Sequence, residues 1–215
     1  MKTVDLRVDP EADLSGVVEH LQRGGVIAYP TETVYGFGSA CTPEGVAAVR
    51  LLKDRQANKP LIVLSPSMDS LDDLEWSAQA REFAEVFWPG ALTLVLPDPR
   101  GMFPVGVRSS EGTVAVRISP HPTVRRLLSA FGGAITSTSV NLRGAPPARS
   151  GSEAEDVIGR LNGDTVWLLN AGTLPESGPS TIVDCTQAIP VVVREGSVPI
   201  GRLRCVNTEI HGSQT

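Results

Sequence analysis

Short apolar runs alternate with segments of helical periodicity along most of the chain, and this alternation constrains the fold more than any other feature. The runs at 61–64 and 92–96 predict strands, whereas 78–87 and 122–131 have the apolar spacing of helices. Such alternation is typical of an α/β protein, in which helices cover a parallel or mixed sheet. The segment 170–190 contains strand-like runs with no helix between them, so we also expect some antiparallel pairing.

Local signals predict where two of the helices begin. Asp9 followed by Pro10 is the pattern of an N-cap and a first helical residue, and it predicts that the first helix starts there. Ser152 and Glu155 have the spacing of a capping box, which predicts a helix over 153–161. In both cases the side chain would accept hydrogen bonds from the otherwise unpaired N–H groups of the first helical turn.

The composition is that of an ordinary globular protein, with 41% hydrophobic and 20% charged residues among 215. We expect one domain over 1–200, followed by a short polar tail, 201–215, that frays. No apolar run reaches the roughly 18 residues of a membrane span, and the N-terminus lacks the apolar core of a signal peptide. A soluble, cytoplasmic protein without membrane contact is therefore expected.

Charge and metal-ligating residues narrow the function classes further. The net charge of −5 and the pI of about 5.2 disfavour a dedicated nucleic-acid binder, which is usually basic, but they leave room for a local cationic cleft. Cys41, Cys185 and Cys205 form no CxxC pair and are expected to be reduced thiols. The three histidines show no ligand spacing, so no metal-binding set is predicted.

The segment 30–38, PTETVYGFG, follows a strand-like run and contains two threonines, a glutamate, a tyrosine and two glycines. Loops at strand ends often carry function, but a structural strand-to-helix loop explains this segment about equally well. The nucleotide-binding signatures G-x-x-x-x-G-K-[ST] and G-x-G-x-x-G after a strand are absent from the sequence. A G-x-S-x-G nucleophile elbow is absent too, which disfavours an α/β-hydrolase.

Cations and polar side chains at predicted strand ends, or in the loops after them, are the remaining candidates, because ligands of open α/β sheets bind there. They suit a polyanionic ligand such as a nucleoside triphosphate, since arginine binds phosphate or carboxylate bidentately and lysine supplies a point charge. The alternative, separate solvated side chains, explains Arg149 well but Arg117 poorly, because Arg117 lies in the apolar strand at 113–118. The candidates are Lys53, Arg55, Lys59, Arg117, Arg149 and Arg194, with Thr31, Thr33, Thr113, Ser139, Asn141 and Ser180.

Seven segments between about Gly24 and Gly196 form a more specific pattern than any of them alone. In order they are PTETVYGFG, KDR followed by KPLIVL, WPGALTLVL, TVAVRIS, STSVN, PSTIVD and VVVREG. Together they resemble the YrdC-like family of threonylcarbamoyl-adenylate synthases. The resemblance implies a twisted open mixed sheet with helices on both faces and a ligand cleft at strand ends. It also predicts the single-domain form of the family, with Leu64 where longer relatives often have histidine.

By this resemblance the chain would make threonylcarbamoyl-AMP from ATP, L-threonine and bicarbonate or CO₂, with Mg²⁺ on the phosphates and release of pyrophosphate. The product would serve the tRNA threonylcarbamoyl-transferase machinery, which modifies the adenosine next to the anticodon; direct tRNA contact is left open. Similarity assigns catalysis to Lys53 and Arg55. The residues assigned to L-threonine or its carbamate are Thr33, Arg117, Ser139 and Ser180. The residues assigned to ATP are Arg55, Lys59, Thr113, Asn141, Arg149 and Arg194.

Three alternatives stay open at this point. A double-stranded RNA or tRNA-binding module is disfavoured by the acidic pI. An inactive paralogue is disfavoured by the intact KDR and SVN segments. Another enzyme of the same fold, such as a carbamoyl-transfer domain or a dihydroxybutanone-phosphate synthase, is the third; the latter requires an acidic metal-binding cluster that the sequence does not offer. Under the favoured hypothesis, alanine at Arg55 or Arg117 cuts activity severely and leaves the fold intact.

Overall fold

The computed structural model of the chain describes residues 1–54 and 59–212. The strands in this part of the chain are β1 (Lys2–Asp5), β2 (Ile27–Tyr29), β3 (Gly36–Gly38), β4 (Ile62–Leu64), β5 (Leu92–Pro97), β6 (Thr113–Arg117), β7 (Ile135–Ser139), β8 (Trp167–Asn170), β9 (Thr181–Asp184) and β10 (Val191–Arg194). The α-helices are α1 (Ser15–Gln22), α2 (Pro43–Lys53), α3 (Ala78–Phe87), α4 (Pro122–Phe131), α5 (Gly151–Arg160) and α6 (Ile200–Arg204), and a short 3₁₀ helix covers Asp69–Leu71.

All ten strands belong to one open sheet in the order β1-β8-β2-β3-β7-β4-β6-β5-β9-β10. Its pairing is mixed: β4 with β6 and β5 with β9 are parallel, whereas β3 with β7 and β4 with β7 are antiparallel. The antiparallel pairing expected among the late strands is found between β9 and β10. The predicted open mixed α/β sheet is thus confirmed.

Helices α1 and α4 pack on one face of the sheet. Leu21 of α1 and Leu127 of α4 are buried in one apolar cluster with Tyr29, Leu64 and Ile135 from three strands. Leu64, at the position where longer relatives often have histidine, has no exposed surface in this cluster. A side chain at position 64 therefore points into the core beneath α4, away from solvent.

Helices α2, α3 and α5 pack on the opposite face. Val49 of α2, Phe83 of α3 and Ile158 of α5 lie in a second cluster with Ala28 and Val116 of the sheet. Because successive side chains of a strand point to opposite faces, β2 contributes to both clusters. The prediction that helices cover both faces of the sheet is confirmed.

The predicted start of the first helix is wrong. The helix α1 begins at Ser15, and its N-terminal N–H is accepted by the side chain of Asp13 at 2.9 Å. Asp9 instead forms a turn, in which its carboxylate accepts from the N–H of Glu11 and its carbonyl from that of Ala12. The Asp-Pro pattern therefore marks a turn, and a further loop segment lies between this turn and the helix.

The capping box of α5 lies two residues before its predicted position. The hydroxyl of Ser150 accepts from the N–H of Glu153, and the Glu153 carboxylate accepts from the N–H of Ser150. The prediction with Ser152 and Glu155 is wrong because both serines have a glutamate three residues later. Sequence spacing alone does not distinguish the two registers.

The expected fraying after residue 200 is wrong for the residues up to 212. Leu203 of α6 is fully buried and Ile210 is 2% exposed. The N–H of Val192 donates to the carbonyl of His211 at 2.9 Å, so this segment is also bonded to the edge of the sheet. None of the helices in the described parts of the chain has the length and apolarity to cross a bilayer.

Candidate active site

The central cleft lies on the sheet face that carries α1 and α4, beyond the strands that these helices cover. It has a volume of about 420 Å³. A row of side chains from four neighbouring strands, Ser137, Ile62, Ala115 and Val95, forms part of its floor. The cleft includes strand-end residues, as predicted, and also extends across the middle of the strands. Its polar groups are therefore held by the sheet itself.

Arg117, at the end of β6, is the most deeply buried cation of the cleft. Its side chain is 5% exposed, and its Nη1 lies 3.0 Å from Oε1 of Glu32 and 3.4 Å from the hydroxyl of Thr33. The second oxygen of Glu32 accepts a hydrogen bond from the hydroxyl of Ser119. Nε of Arg117 is buried and has no hydrogen-bond partner among the described residues. The charge is thus paired within the protein, and one donor of the guanidinium is left for another acceptor.

Arg194, at the end of β10, brings a second guanidinium into the same cleft. Its Nη2 donates to the Ser180 carbonyl at 2.8 Å and lies 3.3 Å from the Ser180 hydroxyl, which is 2.9 Å from the hydroxyl of Thr93. Burial lowers the pKa of Arg194, and the neighbouring charge of Arg117 lowers it further. Because Glu32 compensates only one of these two charges, the cleft keeps an excess of positive charge, which favours the binding of an anion.

Lys53, the last residue of α2, holds the turn that follows β7. Its ammonium donates to the carbonyls of Ser139 and Asn141, at 2.9 and 2.6 Å, and to Oδ1 of Asn141 at 2.7 Å. The Ser139 hydroxyl donates to the same Oδ1 at 2.6 Å. Nδ2 of Asn141 then reaches the carbonyls of Leu142 and Ala145, both at 2.9 Å. The Lys53 ammonium therefore fixes the orientation of the whole S-V-N segment.

A second pocket, of about 240 Å³, adjoins the cleft at Thr138 and Ser139, which line both. It is predominantly cationic. Its lining residues are Lys53, Asp54, Lys59, Thr138, Ser139, Asn141, Arg143 and Gly144. Lys53 reaches this place at the C-terminal end of helix α2, which starts after the N-cap Thr42, whose hydroxyl accepts from the N–H of Gly45.

The segment 30–38 comprises the hairpin connection at 30–35 and strand β3, which pairs with β2, so the segment does not lead from a strand into a helix. The hydroxyl of Thr31 accepts from the N–H groups of Thr33 and Val34, which fixes the turn. Gly38 is needed for close approach: a Cβ there would lie 2.3 Å from the carbonyl oxygen of Thr136. The polar residues of the motif thus enter the cleft from a rigid turn.

Most of the predicted site residues meet in these two spaces. The cleft is lined by Thr31, Thr33, Thr113, Arg117, Ser139, Ser180 and Arg194, and the pocket by Lys53, Lys59, Ser139 and Asn141. Arg149 instead lines a neighbouring hollow with Pro147 and lies 3.6 Å from the Glu176 carboxylate. Arg55 lies outside the described residues. Within 1–54 and 59–212, no three His, Cys, Asp or Glu side chains converge on a metal site.

Sequence analysis missed Glu32, Ser119, Ser137 and Arg143 as members of the site. Glu32 could have been predicted from the sequence, since a buried arginine requires a counter-charge and the polar segment 30–38 contains one carboxylate. Ser137 could also have been predicted, because side chains alternate along β7 and place Ser137 on the same face of the sheet as Ser139. Ser119 and Arg143 could not, because their positions depend on the folds of the loops that follow β6 and β7.

The fold and the cleft together define an α/β family, and comparison identifies it. Residues 19–196 match the model of the Sua5/YciO/YrdC family, which is described as "Telomere recombination". The match covers most of the sequence, and the chain belongs to this family. The resemblance noted from the seven segments is therefore confirmed.

Curated relatives carry the name threonylcarbamoyl-AMP synthase. The protein from Bacillus subtilis is 34% identical over 194 residues, which are 89% of this chain and 55% of the relative. The protein from Chromohalobacter salexigens is 39% identical over 179 residues, which are 80% of this chain and 91% of the relative. The chain thus spans about half of the longer relative and nearly all of the shorter one.

Solved structures show the same fold. A double variant of Pyrococcus abyssi Sua5 matches with a TM-score of 0.91 at 31% identity, over 99% of this chain and 62% of the other. P. abyssi Sua5 complexed with L-threonine matches with a TM-score of 0.86 at 29% identity and the same coverage. E. coli YciO, at 23% identity, covers 94% of this chain and 98% of its own with a TM-score of 0.76, a likeness of fold alone.

Proposed function

We propose that this chain is an L-threonylcarbamoyladenylate synthase, which converts L-threonine, bicarbonate or CO₂, and ATP to threonylcarbamoyl-AMP and pyrophosphate. The observation that carries the proposal is that a cleft with two guanidinium groups, Arg117 and Arg194, opens directly into a second cationic pocket. Two adjoining anion sites suit a reaction in which an amino-acid carbamate meets a polyphosphate. The names of the relatives and the L-threonine complex of P. abyssi Sua5 support it.

The cleft suits L-threonine. The carboxylate of L-threonine would accept a hydrogen bond from Nε of Arg117, which has no partner among the described residues. The hydroxyls of Thr33 and Ser180 would form hydrogen bonds with the other polar groups of L-threonine. Arg194 would add a second charge near the same anion. The adjoining pocket would take the phosphates of ATP, with Lys59 and the Asn141 turn on its walls.

In the proposed reaction the neutral amine of L-threonine attacks CO₂, forms the N–C bond and loses a proton to water, which gives a carbamate. A carbamate oxygen then forms a bond to the α-phosphorus of ATP. The bond from that phosphorus to the bridging oxygen breaks, and its electron pair leaves with pyrophosphate. Since the reacting groups are anions, alignment and fixed positive charge supply most of the catalysis.

Lys53 contributes to this chemistry through position. Its three N–H donors are directed at Ser139 and Asn141, so it holds the turn at the junction of cleft and pocket, where the α-phosphorus would lie. Mg²⁺ would arrive with ATP. The pocket offers hydroxyl and amide oxygens and the single carboxylate of Asp54, a set that fits an ion held mainly by phosphates and water.

We further propose that the product is passed, in the cytoplasm, to the machinery that transfers the threonylcarbamoyl group to tRNA. A carbamate joined to phosphate is an activated donor, so a reaction that consumes it must supply an acceptor amine. The exocyclic amine of an adenosine next to the anticodon would be that acceptor. ATP and tRNA occur together in the cytoplasm, which makes it the expected compartment.

The test is release of pyrophosphate from ATP by the full chain, with and without L-threonine and bicarbonate, in the presence of Mg²⁺. Release that requires both co-substrates is the expected result. If the folded protein releases none under any combination, the adenylate synthase proposal fails. Binding of double-stranded RNA with a steep salt dependence would then favour the RNA-binding alternative.

A further inference from the structure

We propose that Arg143 binds the polyphosphate tail of the nucleotide, and the pyrophosphate that forms from it, as an additional cation of the second pocket. The inference rests on the proposed function. It adds a residue to which neither the sequence pattern nor the similarity to relatives gave a role. It also divides the site: the cleft would take L-threonine, and the far end of the pocket would take the leaving group.

The first support is the fixed backbone position of Arg143, an exposed residue. It lies in a turn in which the N–H of Ala145 donates to the carbonyl of Leu142 at 3.0 Å, and Gly144 has a φ of +78°. A positive φ at the third residue is typical of a type II turn, which leaves the second residue, Arg143, at the tip. The side chain of Asn141 clamps both ends of this turn, as described above.

The second support is the charge balance of the pocket. Three of its lining residues are cations, Lys53, Lys59 and Arg143, against the one carboxylate of Asp54. The Lys53 ammonium is directed at acceptors of the protein. Cations thus outnumber carboxylates in this lining, and a local excess of positive charge favours an anionic ligand.

The third support is that Arg143 has no internal acceptor. In the described part of the chain, its guanidinium takes part in no ion pair or hydrogen bond, although it lines the pocket. Arg149, by contrast, lies near Glu176, and Arg108 near Asp98. A guanidinium presents five N–H donors in a planar fork that matches phosphate oxygens. Pyrophosphate, with two linked phosphates, suits both this fork and a pocket of about 240 Å³.

The test uses inorganic pyrophosphate as the probe, titrated calorimetrically into the full chain with and without Mg²⁺. R143Q is expected to bind pyrophosphate about tenfold more weakly than the natural chain, the size of one charge-assisted contact, and R143K to lie between them. R160Q is the matched control, because Arg160 is an exposed arginine of α5 whose ion-pair partner is Asp156. It should bind pyrophosphate as the natural chain does.

Steady-state kinetics give the second readout. R143Q should raise the KM for ATP about tenfold and leave the KM for L-threonine unchanged, because the pocket and not the cleft is altered. Unchanged pyrophosphate affinity in R143Q, or no measurable pyrophosphate binding by the natural chain, would overturn the inference. If R143Q binds pyrophosphate normally while the natural chain makes threonylcarbamoyl-AMP, the subsite fails and the proposed function stands. If pyrophosphate binding depends on Arg143 but no threonylcarbamoyl-AMP forms, the subsite stands and the proposed function fails.

Discussion

Arg117 and Glu32 form an ion pair at the cleft, with 3.0 Å between Nη1 and Oε1 and side-chain exposures of 5% and 17%. The pair joins the end of β6 to the turn between β2 and β3. The hydroxyl of Ser119 bonds to the second oxygen of Glu32 and keeps the carboxylate in place. Glu32 is thus the counter-charge that pairs with the buried guanidinium of Arg117.

Replacing Arg117 by alanine should separate two effects. The variant should bind L-threonine about tenfold to a hundredfold more weakly, because a charge-assisted contact to the carboxylate is lost. It should also lose on the order of 3 kcal/mol of unfolding free energy, because Glu32 is left without its partner. Isothermal calorimetry and urea denaturation measure the two quantities.

The double variant Arg117→Ala with Glu32→Gln is the control for this separation. Removal of the unpaired charge should restore part of the unfolding free energy but none of the affinity for L-threonine. Recovery of threonine binding in the double variant would contradict the assignment of Arg117 to the carboxylate.

Replacing Lys53 by methionine should disorder the S-V-N turn. Two carbonyls and an amide oxygen lose their common donor, so the unfolding free energy should fall by about 1–3 kcal/mol. The affinity for ATP should fall as well, since the turn lines the second pocket. An exposed cation elsewhere, replaced in Arg23→Met, serves as the control. Normal ATP affinity and stability in Lys53→Met would show that the turn does not depend on Lys53.

The position of the capping box of α5 can be tested by measuring the free energy of unfolding of two serine variants. Ser150→Ala should lower the unfolding free energy by about 1 kcal/mol, the usual effect of losing an N-cap. Ser152→Ala, two residues later, should have a much smaller effect, because the Ser152 hydroxyl bonds only to the Ser150 hydroxyl in the described structure. Chemical denaturation of both variants measures the difference. Equal effects would argue against the observed register.

His121 should make the stability depend on pH. Burial lowers its pKa below the ordinary 6.5, and the neutral ring accepts a hydrogen bond from the N–H of Thr123 at the start of α4. The unfolded chain therefore takes up the proton first, and the free energy of unfolding should decrease as pH falls below about 6.5. His121→Asn keeps an N-cap acceptor without a titration and should flatten this part of the curve. An identical pH profile in this variant would show that other groups are responsible.

Much of the fold and the site could be predicted from local sequence. Strand–helix alternation gave the mixed α/β sheet, and the apolar setting of Arg117 showed that its charge must be paired. The predictions that were wrong or missing depend on contacts between residues that are distant in sequence or on packing. The capping boxes at Ser150 and Ser152 have the same spacing, so only packing of α5 decides between them. Glu32 and Arg117 are far apart in sequence, and the sheet order that joins them follows from tertiary structure.

The most direct test of the central claim is the mass of the product formed from ¹³C-bicarbonate, L-threonine, ATP and Mg²⁺ in a rapidly quenched reaction. We predict an adduct of AMP that contains one threonine and one ¹³C atom, formed together with an equal amount of pyrophosphate. An AMP adduct without threonine, or pyrophosphate release without incorporation of ¹³C, would contradict the account.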